Sequence, residues 1–221
     1  MDQILPKIFY WLKKPKTVII LGDKRASAAE AVFFVLSKHG KAKKIGSTWP
    51  FFVARDETII AEKDITVDRD FKEAIFLAGN SSLLAIVLTS FGSFDGKDRL
   101  DGLKSFLAKI DSQAKIAHKE IYMVYNADQP DLKKMLGPIA AGNKTGFGFS
   151  PEADFRASDV HIAKALNFKA NVKGNIIPVW LNRATTEEPV FSALAALAVG
   201  RIFGLNLIQT TQAIKDFCPA L

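Results

Sequence analysis

The run Thr17-Val18-Ile19-Ile20-Leu21, followed by Gly22-Asp23-Lys24-Arg25-Ala26-Ser27-Ala28, decides the fold. Five residues, four of them β-branched and four apolar, are the length of a buried strand. Gly22-Asp23 breaks the run, and an apolar-periodic stretch from Ala28 to Lys38 follows, closed by Gly40. Strand, glycine turn and helix open a βαβ unit. Outward from there, residues 58–61, 74–78, 84–89 and 120–125 read as further buried strands. Helical patterns occupy 99–110, 129–136, 189–203 and 207–217. Such alternation predicts a three-layer α/β domain with a mainly parallel sheet. After about residue 145 the pattern changes. Phe147, Phe149, Val160, Ile162, Phe168, Val172, Ile176 and Val179 fall in short alternating runs broken by Asn, Gly and Pro. This predicts antiparallel strands on one edge of the sheet. No Ser- or Gly-rich linker interrupts the chain, so one domain is expected over residues 16–221, preceded by a helix within 1–15.

Composition narrows the class. At 48% hydrophobic residues and a mean hydropathy of +0.10 the 221-residue chain can bury a sizeable core, which excludes disorder. No run of eighteen uncharged apolar residues is present, and the N-terminal charges follow the apolar stretch, unlike a secretory signal. A single cysteine, Cys218, excludes an internal disulfide framework and a cysteine-built zinc site. The expected setting is the reducing cytoplasm.

The charge is concentrated at one end. Residues 1–50 hold ten Lys/Arg (Lys7, Lys13, Lys14, Lys16, Lys24, Arg25, Lys38, Lys41, Lys43, Lys44) against Asp2, Asp23 and Glu30, a balance of +7 that equals the net charge of the whole chain. Such a segment suits an acidic partner, an anionic membrane or nucleic acid. Nucleic acid is disfavoured, because neither the aromatic strands of an RNA-recognition module nor zinc-finger spacing is present. Leu5, Ile8, Phe9 and Leu12 recur at helical spacing with Lys7, Lys13 and Lys14 interleaved, Tyr10 and Trp11 flanking, and Pro15 ending the helix. Two expectations follow: an arm docked on the domain or on a second copy, or a helix (residues 1–16) lying on the inner membrane surface.

The turn after the first strand is where an α/β protein would hold a phosphate. Gly22 and the hydroxyl of Ser27 are suitably placed for such a loop, and Lys24 and Arg25 are the nearby cations. Ala26, however, stands where a phosphate lysine belongs, and Arg25 where a glycine belongs. Further along come Tyr125-Asn126-Ala127-Asp128-Gln129-Pro130, Thr145-Gly146-Phe147-Gly148 and Ala153-Asp154-Phe155-Arg156-Ala157. Upstream of these stands Val87-Leu88-Thr89-Ser90-Phe91-Gly92, and downstream Ser192-Ala193-Leu194-Ala195-Ala196-Leu197-Ala198-Val199 with Phe203-Gly204-Leu205.

In order and spacing these segments resemble the central, ATP-binding domain of the Mur ligases. That family joins amino acids or dipeptides to UDP-linked muramoyl precursors of peptidoglycan through an acyl-phosphate. The basic lead-in helix leans toward the D-alanyl-D-alanine-adding branch. The resemblance implies an ATP and Mg²⁺ site in which Gly22, Lys24, Arg25 and Ser27 lie at the phosphates, and Asn126 and Asp128 near the base. It also implies Ser27 and Asp95 at a metal, and Lys109 at the position of an active-site lysine. Lys109 reads equally well as a solvated helix residue, Asn126 and Asp128 as turn formers, and Asp95 with Asp98 and Asp101 as helix N-terminal compensation.

The departures fall on the chemistry. The strand-end glutamate that binds metal in the family would fall near Leu77, and Glu187-Glu188-Pro189 replaces a histidine-containing motif. His39, His118 and His161 show no ligand spacing. Removing one preorganised electrostatic donor costs on the order of 10²–10³ in rate. The expectation is therefore a degenerate pseudoenzyme, lacking UDP-sugar and C-terminal ligase domains, that acts through a protein partner or a second copy. The alternative is an ATP-dependent amide ligase module with Lys24 or Arg25 as phosphate clamp, completed by other subunits.

Overall fold

In the computed structural model, residues 4–45, 53–54, 56–91, 97–117, 120–140 and 142–217 are described. The strands are β1 (Lys16–Leu21), β2 (Ala42–Ile45), β3 (Thr58–Glu62), β4 (Leu84–Leu88), β5 (Ile121–Asn126), β6 (Asn143–Gly148), β7 (Phe155–Ile162), β8 (Leu166–Val172) and β9 (Asn175–Leu181). They form a single sheet in the order β2-β3-β1-β4-β5-β6-β7-β8-β9. All pairings from β2 to β6 are parallel, as is the two-residue β6–β7 contact; β7, β8 and β9 pair antiparallel.

β1 is buried on both faces from Thr17 onward, as a continuous apolar run in a parallel sheet requires. Val18 and Ile20 join a core with α2 (Arg25–Ser37), α6 (Pro189–Ile202) and α7 (Leu207–Ile214). Ile19 and Leu21 point the other way, into a core with α3 (Asp68–Gly79) and α4 (Lys97–Ala117). Period-two alternation along β1 thus sets the two helical layers of the three-layer domain. The helices α2 and α6 pack against each other, and both carry buried alanines in the shared core, Ala28, Ala29 and Ala31 on one and Ala193, Ala195 and Ala196 on the other. Small side chains bring the two helix backbones close together over the strand ends.

One sequence expectation needs correction. Residues 74–78 lie in α3, not in a strand. Glu73, Ala74, Leu77 and Ala78 are buried along one helical face, and Asp68 and Asp70 occupy the first turn. A five-residue apolar window was too short to reveal the 3.6 period. The strand β2 was not foreseen: two of its four residues are lysines, so its apolar signal is weak. The antiparallel edge expected after about residue 145 is present as β7, β8 and β9, and β6 before it pairs parallel to β5, with Tyr122 opposite Asn143.

The N-terminal helix α1 (Ile4–Lys13) packs on the α3 layer through Pro6 and Tyr10. Tyr10 is fully buried, its ring 5.8 Å from that of Phe76, and its hydroxyl lies 2.5 Å from Thr17 Oγ1 and 3.3 Å from the Leu77 carbonyl oxygen. Burial pushes the phenol pKa up. Of the apolar residues Leu5, Ile8, Phe9 and Leu12, Phe9 is half-buried and the other three are exposed, so this face does not cover the domain's own core. Among the described residues no helix is long and apolar enough to cross a membrane.

Candidate functional site

At the end of β1 the chain reverses through Gly22, with φ +112°. A Cβ there would collide with Thr89 Oγ1 and lie 2.7 Å from the Ser90 carbonyl oxygen, so only glycine fits. The turn is sewn to the end of β4. Thr89 donates to the Leu21 carbonyl from its amide (3.0 Å) and its hydroxyl (2.9 Å), and the Asp23 amide donates to the Ser90 carbonyl at 2.6 Å.

The cations of this turn also have partners. Arg25 donates through Nη1 to the Gly22 carbonyl at 3.0 Å, and its Nη2 lies 3.2 Å from Asp64 Oδ2 beyond β3. Lys24 pairs with Glu188, the residue before α6. One helical turn on, the Ser27 and Ser192 hydroxyls share a hydrogen bond of 2.8 Å that ties α2 to α6.

A second turn, between β5 and α5 (Pro130–Leu136), closes the opposite side. Asn126 is buried, and its Oδ1 accepts from the Asp128 amide at 3.0 Å. The Asp128 carboxylate accepts from the Phe149 amide (2.8 Å to Oδ2) and the Ser150 amide (2.6 Å), beneath Gly148 with its φ of +148°. Gln129 bridges back to Phe91, accepting from its amide and donating to its carbonyl, both at 3.1 Å.

Between the two turns lies a cavity of about 360 Å³ at the C-terminal ends of β1, β4 and β5. Ala28, Phe147 and Phe191 supply its apolar walls, while Ser27, Thr89, Ser90, Asn126 and Ser192 supply polar ones. Lys24, Glu187 and Glu188 stand among the lining residues. In open α/β sheets ligands bind at the carboxyl ends of the strands, so this is the site the fold provides.

Of the residues singled out from sequence, Lys24, Ser27 and Asn126 line this cavity. Gly22 and Arg25 face a small neighbouring recess with Asp64 and Lys63. Asp128 braces β6 through the amides just described. Lys109 stands apart on α4, its Nζ 4.9 Å from the Phe71 ring centroid, where it ties α4 to α3. Asp101 pairs with Lys104 at 3.6 Å. Asp95, Cys218 and His118 lie outside the described residues.

Leu77, read from the sequence as the strand-end position where the family's glutamate is missing, is not at a strand end but within α3. The carboxylate that does close a strand beside β1 is Glu62, the last residue of β3, opposite Ile20 in register. It shares a sheet face with Ile60, which packs in the α2 core. Its signal was legible: it directly follows the run 58–61. Phe191 carried no such signal, since its place at the cavity depends on where α6 docks. Glu187 and Glu188 were marked only through the resemblance, and their placement beside Lys24 comes from the fold alone.

The residues present fit the two halves of a nucleotide unequally. Apolar walls with Asn126 at their edge suit an aromatic base. The phosphate half fits poorly: Lys24, Arg25 and the Asp23 amide are engaged within the protein, and Glu187 and Glu188 add negative charge where phosphates would lie. Among the described residues no group of three or more His, Cys, Asp or Glu is placed to hold a metal ion.

No family model matches the sequence. The UDP-N-acetylmuramate–L-alanine ligase of Paracoccus denitrificans is 28% identical over 138 residues, covering 58% of this chain and 27% of that protein. Among solved structures, the UDP-N-acetylmuramoylalanyl-D-glutamyl-2,6-diaminopimelate–D-alanyl-D-alanyl ligase of Acinetobacter baumannii superposes with a TM-score of 0.75 at 14% identity, over 98% of this chain and 49% of that one. The MurF ligase of Thermotoga maritima, solved in complex with ADP, gives a TM-score of 0.69 at 15% identity, over 93% and 51%. The chain thus spans about a quarter of that curated relative and about half of these solved ones. The nine-stranded mixed sheet with its antiparallel edge superposes on the fold of these Mur ligases, and the sequence is similar to members of that family at low identity.

Proposed function

We propose that this domain keeps the architecture of a Mur ligase nucleotide-binding unit but acts by protein–protein interaction in peptidoglycan precursor synthesis, without transferring phosphate. One observation carries this reading. The two side-chain cations of the β1–α2 turn and the Asp23 amide, which a triphosphate would recruit, already bind Glu188, Asp64, the Gly22 carbonyl and the Ser90 carbonyl. An anion would have to break several of these contacts, and Glu187 and Glu188 would repel it. The partner is a second cell-wall ligase or another copy of this chain. Purified protein is expected to show no ATP turnover with a UDP-muramoyl precursor and no Mg²⁺-dependent heat of ATP binding at millimolar nucleotide. Turnover in the same assay overturns the reading.

A second reading, an ATP-dependent amide ligase module completed by other chains or domains, draws on two features. The Lys24–Glu188 pair is open to solvent, its side chains 56% and 57% exposed, so exchange of Glu188 for a phosphate would cost little. Glu62, at the end of β3, is a strand-end carboxylate on the α2 face. This reading expects Mg²⁺-dependent ATP binding that Lys24→Ala abolishes and Glu62→Gln weakens. Binding unchanged in both variants rejects it.

A further inference from the structure

The helix α1 presents its two faces the wrong way round for a docked arm. At about 100° per residue, Trp11, Ile8, Leu12 and Leu5 fall within an arc of roughly 120°. These side chains are 54%, 45%, 59% and 57% exposed. Pro6 and Tyr10, the buried residues, lie on the opposite side of the helix. The domain therefore grips α1 by a narrow edge, with Tyr10 as the plug, and turns the wide apolar stripe outward. A helix that merely covered the core would bury that stripe. Four large apolar side chains exposed together mark a surface that something covers.

The charge says what covers it. The helix sequence ILPKIFYWLK contains no acidic residue. Lys7 borders the stripe on one side, Lys13 lies beyond Phe9 on the other, and Lys14 and Lys16 follow at the helix end. A second copy of α1 laid on the stripe would bring like charges together, whereas an anionic surface would be attracted to both borders. Apolar residues flanked by lysines on a short helix are the pattern of a segment lying in a membrane interface. Trp11 also has the residue type that settles at headgroup level.

We propose that α1 docks this domain on an anionic lipid bilayer, with Leu5, Ile8, Trp11 and Leu12 entering the headgroup–acyl boundary and Lys13 and Lys14 contacting lipid phosphates, while the Lys7 ammonium lies over the Phe76 ring of the body. Tyr10 fixes the helix to the body, so the docked domain has a set orientation. The proposal does not depend on whether the β1–α2 turn binds nucleotide.

The test is sedimentation of the full chain with phosphatidylcholine vesicles containing 0 or about half phosphatidylglycerol, alongside Trp fluorescence and sedimentation velocity without lipid. Binding is expected to the anionic vesicles only and to weaken with added salt. It should fall at least tenfold in Ile8→Ser/Leu12→Ser, while thermal unfolding without lipid stays unchanged because both side chains are exposed. Lys13→Glu should weaken binding to anionic vesicles with the stripe intact. Absence of binding, or binding that neither variant alters, overturns the proposal. So does a lipid-free dimer that Ile8→Ser/Leu12→Ser converts to monomer, since a second copy would then own the surface.

Discussion

Two lysine–glutamate pairs flank the same strand ends and have opposite characters. Lys63, just past β3, lies 2.7 Å from Glu73 of α3, with side chains 3% and 5% exposed. Asp70 stands 3.7 Å from the same ammonium, and Arg69 Nε 3.2 Å from the other Glu73 oxygen. On the opposite face, Lys24 and Glu188 meet in the open. Contact geometry does not separate the pairs; solvent does. Within the protein each charge of the first pair depends on the other, and loss of one strands its partner away from water. In the second, water can replace either partner, so the contact holds little stability and can be exchanged for a ligand. The first belongs to the fold, and the second stands open to solvent among the residues that line the cavity.

The sharpest way to break the comparison is Glu73→Ala. It leaves the Lys63 ammonium buried against Asp70 alone, with an expected loss of about 3–5 kcal/mol in urea unfolding. The double replacement Lys63→Met/Glu73→Leu should recover most of that, because apolar residues of similar volume need no partner. A single variant within about 1 kcal/mol of wild type would show that water reaches the pair.

Gly22→Ala comes next. A β-carbon at φ +112° carries backbone strain of about 1–3 kcal/mol, and the collision with Thr89 and the Ser90 carbonyl adds to it. Calorimetry should show a lower Tm. An unchanged Tm would mean that the turn can move off the end of β4.

Tyr10→Phe should cost about 0.5–1.5 kcal/mol through loss of the hydroxyl contacts. It also changes the pH profile. Burial raises the phenol pKa above its ordinary value of 10.0, so above that pH the native state holds a proton that the unfolded chain has released. Stability then falls as pH rises. Wild-type stability is expected to decline beyond pH 10 more steeply than that of Tyr10→Phe; parallel profiles would contradict a buried, proton-holding phenol.

The smallest effect belongs to the exposed pair. Lys24→Ala and Glu188→Ala should each change stability by no more than about 1 kcal/mol. A larger loss from either would give the pair a structural role and remove its suitability for exchange with a ligand.

Much of this molecule could be read from local patterns. The buried run 17–21, the break at Gly22 and the alanine-rich stretch of α6 each carry their structure within a few residues, because strand and helix periods are local properties. The order of segments from Thr89-Ser90 through Asn126 to Ser192 carried the resemblance to the Mur ligases in the same way. Where the window was short, reading failed: residues 74–78 are apolar in either conformation, and only the face they bury against α4 makes them helical. Where contacts join distant segments, the sequence was silent. That Lys24 meets Glu188, that Arg25 turns to Asp64, and that Ser27 and Ser192, 165 residues apart, share a hydrogen bond follow from the docking of α6 on α2. The amphipathic pattern of residues 5–12 was legible by itself, but which face would be covered was not. Periodicity shows that a helix has an apolar side; only the tertiary structure showed that Tyr10, on the other side, fits the space beside Thr17, leaving the broader stripe to solvent.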